Sequence, residues 1–346
     1  MHKFLQTICF PFLSCVLLLV AVPSFAQQKA AAPPAQNVAP AVSGPLLTYA
    51  LQPGSVQHYL VTAYFDGHFP PFDQPGDPPV HLLAHMEYVA HVGQPQQDGL
   101  PVDFTVTQVD MQLLQKEVPI GAKIDPKQTV PFPIELEQAQ KALNTSVVLR
   151  PDGSIARILT APNNMVRVNV GIDLRKLFMI VMPVILPNTA VTLGTSWTSK
   201  EGVIGTAPAK VSYTNKLNAM KPDGVNLDLK IMQTATSQID DTLDSSGMAT
   251  NDKQHEVSRL QGTASLIGWM NYLGTPAPAS NGVKTYAVRM QKGLFKLTVK
   301  LKQTPLSNAA NATPPSSTTP PYVPTAGNVD VSARFVVQAL DQAALR

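Results

Sequence analysis

The feature that most constrains this chain is a strongly apolar segment, residues 172–182, set between stretches that alternate as strands do. Asp173 lies near its start, where the dipole of a helix favours an anion. Pro183 and Pro187 follow, and proline does not continue a helix. We therefore predict an apolar helix that packs against a sheet and supplies its core. Its apolar residues recur at steps of three and four: Leu174, Leu177, Phe178, Val181 and Met182.

Strand-like segments make up much of the remaining chain. Val80–Val92 alternates apolar and polar residues along most of its length. Pro-Asp-Gly sequences at 151–153 and 222–224 predict tight turns between strands. About ten strands, joined mostly by such turns, predict an antiparallel β-rich domain. We also place a turn at Gln291–Gly293 and a polar loop at Ile239–Lys253.

The predicted fold class is mainly β with some helix (α+β). A sheet with this many strands normally curls or closes, so we expect a large curved antiparallel sheet or half-barrel. The apolar helix at 172–182 would lie in the concave side of this sheet. One further short helix is predicted at Ile134–Leu143, which is amphipathic and has acidic residues in its first turn.

The first 26 residues have the pattern of a signal peptide. An apolar core at 10–22 is followed by small residues that precede a cut after Ala26. We therefore expect export, with a periplasmic or extracellular location after cleavage near Ala26. Two alternatives stay open. A transmembrane anchor would need about 20 apolar residues, more than this run supplies, and a lipoprotein cut before Cys15 would use an imperfect recognition sequence at 12–14.

Composition divides the rest of the chain into four parts. Residues 27–45 are rich in alanine and proline with almost no charge, which predicts a disordered linker. Residues 46–304 form the β-rich domain. Residues 305–327 are rich in proline, serine and threonine and predict a flexible segment, and residues 328–346 contain a C-terminal strand.

Composition and motifs argue against several classes of chemistry. Both cysteines, Cys9 and Cys15, leave with the signal peptide, so the exported chain has no disulfide and no thiolate site. Charged residues make up 14% of the chain and form no long basic run, which argues against a nucleic-acid partner. No phosphate-binding loop or dinucleotide fingerprint occurs. We expect no cofactor, assign no catalytic residue, and expect no transmembrane anchor after processing.

Histidines cluster in one part of the sequence, with five of the seven between His58 and His91. On the strand Val80–Val92, His85 and Glu87 point to the same face, about 6.6 Å apart along it, which is close enough to share a metal ion. The alternative is a solvated sheet face that happens to use histidine. We expect no metal site and keep His85 and Glu87 as weak candidates, because a ligand set needs further donors to converge.

A basic stripe follows one face of the strand-like segment Leu294–Lys302. It consists of Lys296, Lys300 and Lys302, while the other face carries apolar side chains. A basic stripe can meet anionic head groups. The alternatives are a solvated face, or lysine that guards a sheet edge against aggregation.

A short motif follows the apolar segment in the sequence LPNTAVTLGTSW: Pro187, Val191, Gly194 and Trp197. With the surrounding order of hairpin, apolar helix and strand meander, it resembles a group of uncharacterised secreted bacterial proteins. Those carry a domain of unknown function with a Pro…Val-x-x-Gly-x-x-Trp centre, and the resemblance covers roughly residues 46–303. The expected architecture is also similar to that of periplasmic lipoprotein carriers, whose half-barrel holds an acyl chain; that likeness is architectural only.

The leading functional hypothesis is an exported, non-enzymatic binding protein of the bacterial envelope for a lipid or another apolar ligand. A filled core is the competing interpretation of the same residues. One alternative function is a structural or protein-interaction module with an envelope protein as partner. Another is a hydrolase without a recognisable motif. The residues assigned to a ligand cavity or to the core are Leu174, Phe178, Met182 and Trp197.

Overall fold

One large sheet dominates the computed structural model of the chain, and the described residues are mostly β with almost no helix. The structure describes residues 44–68, 78–118, 126–132, 134–160, 174–204, 211–243, 253, 255–280, 282–306 and 327–340. The strands are β1 Leu46–Tyr49, β2 Val56–His68, β3 Val80–Val92, β4 Leu100–Leu114, β5 Thr129–Pro131, β6 Thr145–Leu149, β7 Ile155–Thr160, β8 Ser196–Ser199, β9 Ser212–Asp223, β10 Asn226–Leu243, β11 Ser258–Ser280, β12 Val283–Pro305 and β13 Gly327–Leu340.

Within the described residues the sheet has 13 strands, in the order β7-β6-β4-β3-β2-β13-β12-β11-β10-β9-β8, with β1 beside β12 and β5 beside β4. Every pairing along this order is antiparallel, and β1 alone runs parallel to its partner in the described part of the chain. The order starts and ends on different strands, so the described strands form an open sheet. The predicted large antiparallel sheet is therefore confirmed.

The C-terminal strand β13 lies in the middle of the sheet, between β12 and β2. It pairs with β2 from the first third of the chain on one side and with β12, the strand that precedes it, on the other. The predicted flexible segment at 305–327 and the predicted linker and signal at 1–45 lie almost wholly outside the described residues. The β-rich domain thus includes the C-terminal strand in the same sheet.

Two predicted interruptions of strands are wrong. The sequence predicts a turn at Gln291–Gly293, but β12 runs through it without a break. Gln291 is an extra residue in the ladder, because Asn271 pairs with Lys292 and the next residue of β11 pairs with Met290. A β-bulge uses the same polar residues and glycine as a turn, yet keeps the chain direction. The predicted loop at 239–253 starts too early, since β10 continues to Leu243.

The predicted apolar helix is a 3₁₀ helix, Leu174–Ile180, and not a regular α-helix over 172–182. Residues 172 and 173 lie outside the described part. The Val181 amide bonds to the Phe178 carbonyl, which closes the last tight turn, and Pro183 then lacks a donor. Residues 177–184 are all buried. A segment buried on every side takes its backbone geometry from the surrounding sheet, so the helical period alone does not decide it. The second predicted helix is present as α1, Leu136–Leu143.

The sheet curves around this 3₁₀ helix, which contacts strands far apart in the sheet. Phe178 stacks on Phe104 of β4, with ring centroids 4.6 Å apart. The adjacent Met179 lines the same small cavity as Gln233 of β10. Strands β4 and β10 are six positions apart in the sheet order, which is about 29 Å in a flat sheet. Both therefore reach one short segment only because the sheet bends. We call the face that holds the 3₁₀ helix and the chain that follows it up to β8 the inner face, and the opposite face the outer face.

The first and last strands in the sheet order, β7 and β8, are linked by a single side chain. The amide of Ile155, at the start of β7, donates to Glu201 Oε2 at 3.0 Å. Glu201 follows β8 by two residues. At this point a hydrogen bond to a carboxylate stands where backbone pairing between β7 and β8 would close the sheet.

Candidate functional site

The inner face holds most of the residues predicted to line a ligand cavity or the core. Phe178 is 1% exposed and Met182 is 4% exposed. Trp197 is half-buried on β8, at the margin of the same core. Leu174 belongs to the 3₁₀ helix, but its side chain lies outside what the structure describes. The structure thus brings Phe178, Met182 and Trp197 to one face of the sheet, and their role in ligand binding stays a prediction.

Sheet side chains hold the irregular backbone that follows the 3₁₀ helix. Buried carbonyl and amide groups need partners, because an unpaired one costs free energy comparable to a lost hydrogen bond. Here the partners come from three strands and one hairpin turn. Gln233 Nε2 donates to the Pro183 carbonyl, Tyr49 OH to the Val184 carbonyl and Trp197 Nε1 to the Ile185 carbonyl, each at 2.7 Å, and the Leu186 amide donates to the Asp152 carbonyl at 2.8 Å.

The cavity beside Gln233 is small. Its volume is about 10 Å³, and it lies between the 3₁₀ helix and strands β10 to β12. That is room for one water molecule, whereas pockets for small ligands measure about 300–1,000 Å³. Gln233 also donates to Asn215 Oδ1 at 3.0 Å. At this position the inner face is filled by protein side chains.

Burial raises the pKa of four tyrosine hydroxyls of the inner core well above the usual value. Tyr49 and Tyr272 lie with their hydroxyl oxygens 3.5 Å apart. Among the described residues, the Tyr88 hydroxyl has no hydrogen-bond partner. The four residues are Tyr49, Tyr59, Tyr88 and Tyr272.

The structure does not gather His85 and Glu87 into a common site. His85 Nδ1 lies 3.1 Å from Thr62 Oγ1, while Glu87 Oε1 lies 2.9 Å from His58 Nδ1. Each side chain is thus engaged with a different residue of β2. Within the described part of the chain, no group of three or more histidine, cysteine or acidic side chains is placed to hold a metal ion.

The outer face carries an exposed apolar row across four neighbouring strands. Its members lie directly opposite one another in the strand register, so their side chains share a face. Trp269 is 47% exposed, and the other three are half-buried. No local pattern in the sequence marks Trp269 as a site residue, because the row exists only once the strands are paired. We call this set the apolar row: Met232, Trp269, Leu294 and Val336.

Four exposed lysines surround the apolar row. Lys216 extends the row at one end, opposite Met232. Lys230 and Lys292 lie in the next row on one side, both opposite Asn271. Lys296 lies in the next row on the other side, opposite Ile267. We call them the flanking lysines.

The predicted basic stripe of Lys296, Lys300 and Lys302 lies on β12, which has β11 on one side and β13 on the other. Because β12 is not an edge strand, the edge-guarding alternative is wrong. Lys300 is opposite Asp330, so part of this stripe meets an acidic neighbour. Lys296 instead belongs with the flanking lysines.

The fold and its surfaces define a class of protein: a curved, open β-sheet whose inner face is filled by protein near Gln233 and whose outer face exposes apolar and basic side chains. No protein-family model matches the chain, and no curated protein matches it in sequence. The resemblance to secreted proteins with a Pro…Val-x-x-Gly-x-x-Trp centre therefore stays a prediction. Among the described residues, no helix is long and apolar enough to span a bilayer.

Solved structures give weak likenesses. Lipovitellin, in a structure concerned with its lipid–protein interactions, aligns with a TM-score of 0.44 and 15% identity, over 84% of this chain and 25% of the lipovitellin chain. OmpF of Salmonella typhi, in complex with daunomycin, aligns with a TM-score of 0.16 and 8% identity, over 83% and 97% of the two chains. The outer membrane protein opdK of Pseudomonas aeruginosa has a TM-score of 0.17 and 8% identity, over 83% and 99%. We draw no functional conclusion from scores this low.

Proposed function

We propose that this chain is an exported, non-enzymatic binding protein of the bacterial envelope, and that it binds a lipid surface through its outer face. The observation that carries the proposal is Trp269, an indole ring left 47% exposed between Met232 and Leu294. Soluble proteins seldom leave a tryptophan exposed within a continuous apolar row, and such patches mark interaction sites. Export rests on the signal-like sequence at residues 1–26.

Tryptophan suits the boundary between a bilayer and water, because its ring is largely apolar and its N–H needs a polar partner. The apolar row spans four strands, or about 14 Å at the usual strand spacing. The strand pairing already fixes the positions of the four residues of this row relative to one another. The row therefore presents its free surface as a unit and needs no conformational change to meet a flat surface.

An internal ligand is less well supported. Phe178 is packed against Phe104, and the cavity beside Gln233 holds one water molecule at most. A carrier that holds an acyl chain at this position would need a cavity many times larger. The apolar ligand that sequence analysis places on the inner face is accordingly moved, in this proposal, to the outer face.

The test uses tryptophan fluorescence with phosphatidylcholine vesicles. The chain has two tryptophans, so Trp197→Phe leaves Trp269 as the only indole. We expect a blue shift of its emission when vesicles are added, because the ring leaves water. In co-sedimentation, Trp269→Ala should weaken vesicle binding on the order of tenfold or more, from the apolar area withdrawn.

Leu193→Ala is the matched control, since Leu193 is 62% exposed but lies in the turn before β8 and outside the apolar row. It should leave vesicle binding unchanged. If the Trp197→Phe variant, with its circular dichroism intact, shows neither binding nor a blue shift with phosphatidylcholine vesicles or with anionic vesicles, the proposed function is refuted. Equal losses for Trp269→Ala and Leu193→Ala would refute the assignment to the outer face.

A further inference from the structure

We propose that the lipid surface bound by the apolar row is anionic, and that the flanking lysines select it. This inference rests on the proposed function and names the chemistry of its ligand. Two features of the outer face support it: the charges beside the apolar row are positive, and acidic side chains of the protein do not neutralise them.

The charges next to Trp269 are all positive on the strands that flank it. Lys292 and Lys296 lie two residues on either side of Leu294, about 6.6 Å away along β12. Lys230 occupies the equivalent position on β10, two residues from Met232. Three exposed lysines therefore lie around one exposed indole ring. Each is on a strand next to that of Trp269 and two residues away from the residue opposite Trp269.

The flanking lysines are not neutralised by acidic neighbours. In the described part of the chain, none of the four forms an ion pair. The first acidic residue along β10 is Asp228, two residues beyond Lys230. On β13, Arg334 adjoins the row, but its charge is met by Asp66 at 2.8 Å. The unpaired charge around the row is thus carried by the lysines.

An apolar row bounded by free lysines is complementary to a surface that offers acyl chains and negative head groups together. Cations near an anionic bilayer strengthen binding roughly fivefold for each lysine. A zwitterionic surface would satisfy the apolar row alone. A protein partner would have to supply acidic side chains at several positions around one apolar centre, and nothing in the described part of the chain specifies such a partner.

The experiment compares two vesicle compositions for binding of the purified protein. One is phosphatidylcholine alone, and the other contains about one third phosphatidylglycerol, which gives a negative surface potential. The test variant is Lys292→Gln with Lys296→Gln. We expect it to weaken binding to the anionic vesicles roughly 25-fold and to leave binding to phosphatidylcholine unchanged.

A matched control has the same change of charge on the same strand and face. Lys300→Gln with Lys302→Gln removes two lysines that lie six and eight residues from Leu294, about 20 Å or more along β12. Because screening in about 0.1 M salt acts over about 10 Å, this control should change anionic binding little. Equal losses from the two double variants would overturn the assignment, since net charge alone would then explain them.

The outcomes separate this inference from the proposed function. Equal binding of the wild type to both vesicle types, with loss on Trp269→Ala, would overturn the anionic preference and leave the proposed function standing. Absence of binding to both vesicle types would overturn the proposed function itself. Capture of an envelope protein that depends on Lys292 and Lys296, without any vesicle binding, would replace the lipid surface by a protein partner.

Discussion

Phe178, in the 3₁₀ helix on the inner face, and Trp269, on the outer face of the sheet, are aromatic residues in opposite surroundings. The Phe178 ring is stacked on Phe104 and is 1% exposed, so its whole surface contributes to the core. The Trp269 ring is nearly half exposed, although its neighbours in the register are apolar. The first ring stabilises the fold, and the second is available to bind.

The first prediction concerns Phe178→Ala. The substitution removes a stacked ring from a filled core and leaves a cavity, so we expect the free energy of unfolding to fall by about 3–5 kcal/mol. Chemical denaturation measures this change. Val225→Ala is the control, because Val225 is 76% exposed, and surface truncations usually change stability by less than about 0.5 kcal/mol. A loss as small as that of the control would contradict the filled core and favour an open cavity at Phe178.

The packing between β11 and β12 requires glycine where the Phe295 ring of β12 lies over β11. Phe295 lies directly opposite Gly268, and its ring covers the space that a Cβ of Gly268 would take, at 2.5 Å from Phe295 Cδ1. Gly293, on β12 itself, would meet the same ring at 2.7 Å. The two glycines therefore form a shallow site that holds the buried Phe295 ring against the sheet.

The second prediction follows at the scale of these strands. Gly268→Ala should displace the Phe295 ring and reduce the free energy of unfolding by about 1–3 kcal/mol, the usual cost of overpacking. Gly274→Ala tests the same change on the same strand, where the nearest atom, Tyr286 Cβ, is 3.3 Å away. It should cost clearly less. If both variants unfold at the same denaturant concentration, the ring site is not what makes Gly268 necessary.

The nearly closed sheet determines how the whole molecule responds to alkali. It buries four tyrosines whose pKa values burial raises well above the ordinary value. Unfolded tyrosine titrates near pH 10. Below that pH both states keep the proton, so the stabilisation is fully present. Above it the unfolded state loses protons that the folded state still holds, and stability falls as pH rises towards the folded pKa values.

We therefore predict that the free energy of unfolding begins to fall near pH 10. Each of these buried tyrosines adds about 1.4 kcal/mol per pH unit to the slope of this fall. Denaturation midpoints from about pH 8 to about pH 11 measure it. Tyr88→Phe removes one such group without breaking a described hydrogen bond, so its slope should be shallower by one tyrosine's share. Identical slopes for the two proteins would show that Tyr88 does not resist ionisation in the fold.

Much of the sheet could be predicted from sequence, because a strand with one buried face carries a local signal of period two. The alternation of β3 and the hairpin at Pro151–Gly153 are of this kind. Local patterns fail where two structures share the same residues. Gln291–Gly293 reads as a turn and forms a bulge, since only pairing with β11 keeps the strand direction.

Local sequence patterns predicted the β-rich class, a short helix at Ile134–Leu143 that the structure has at Leu136–Leu143, and an apolar centre between residues 172 and 182. These features depend on residue order within a few positions. The tertiary structure alone decided that the centre is a 3₁₀ helix, that the inner face is filled near Gln233, and that Trp269 meets Met232 and Leu294 on the outer face. Each of these depends on the register and bending of strands far apart in the chain, which no local pattern carries.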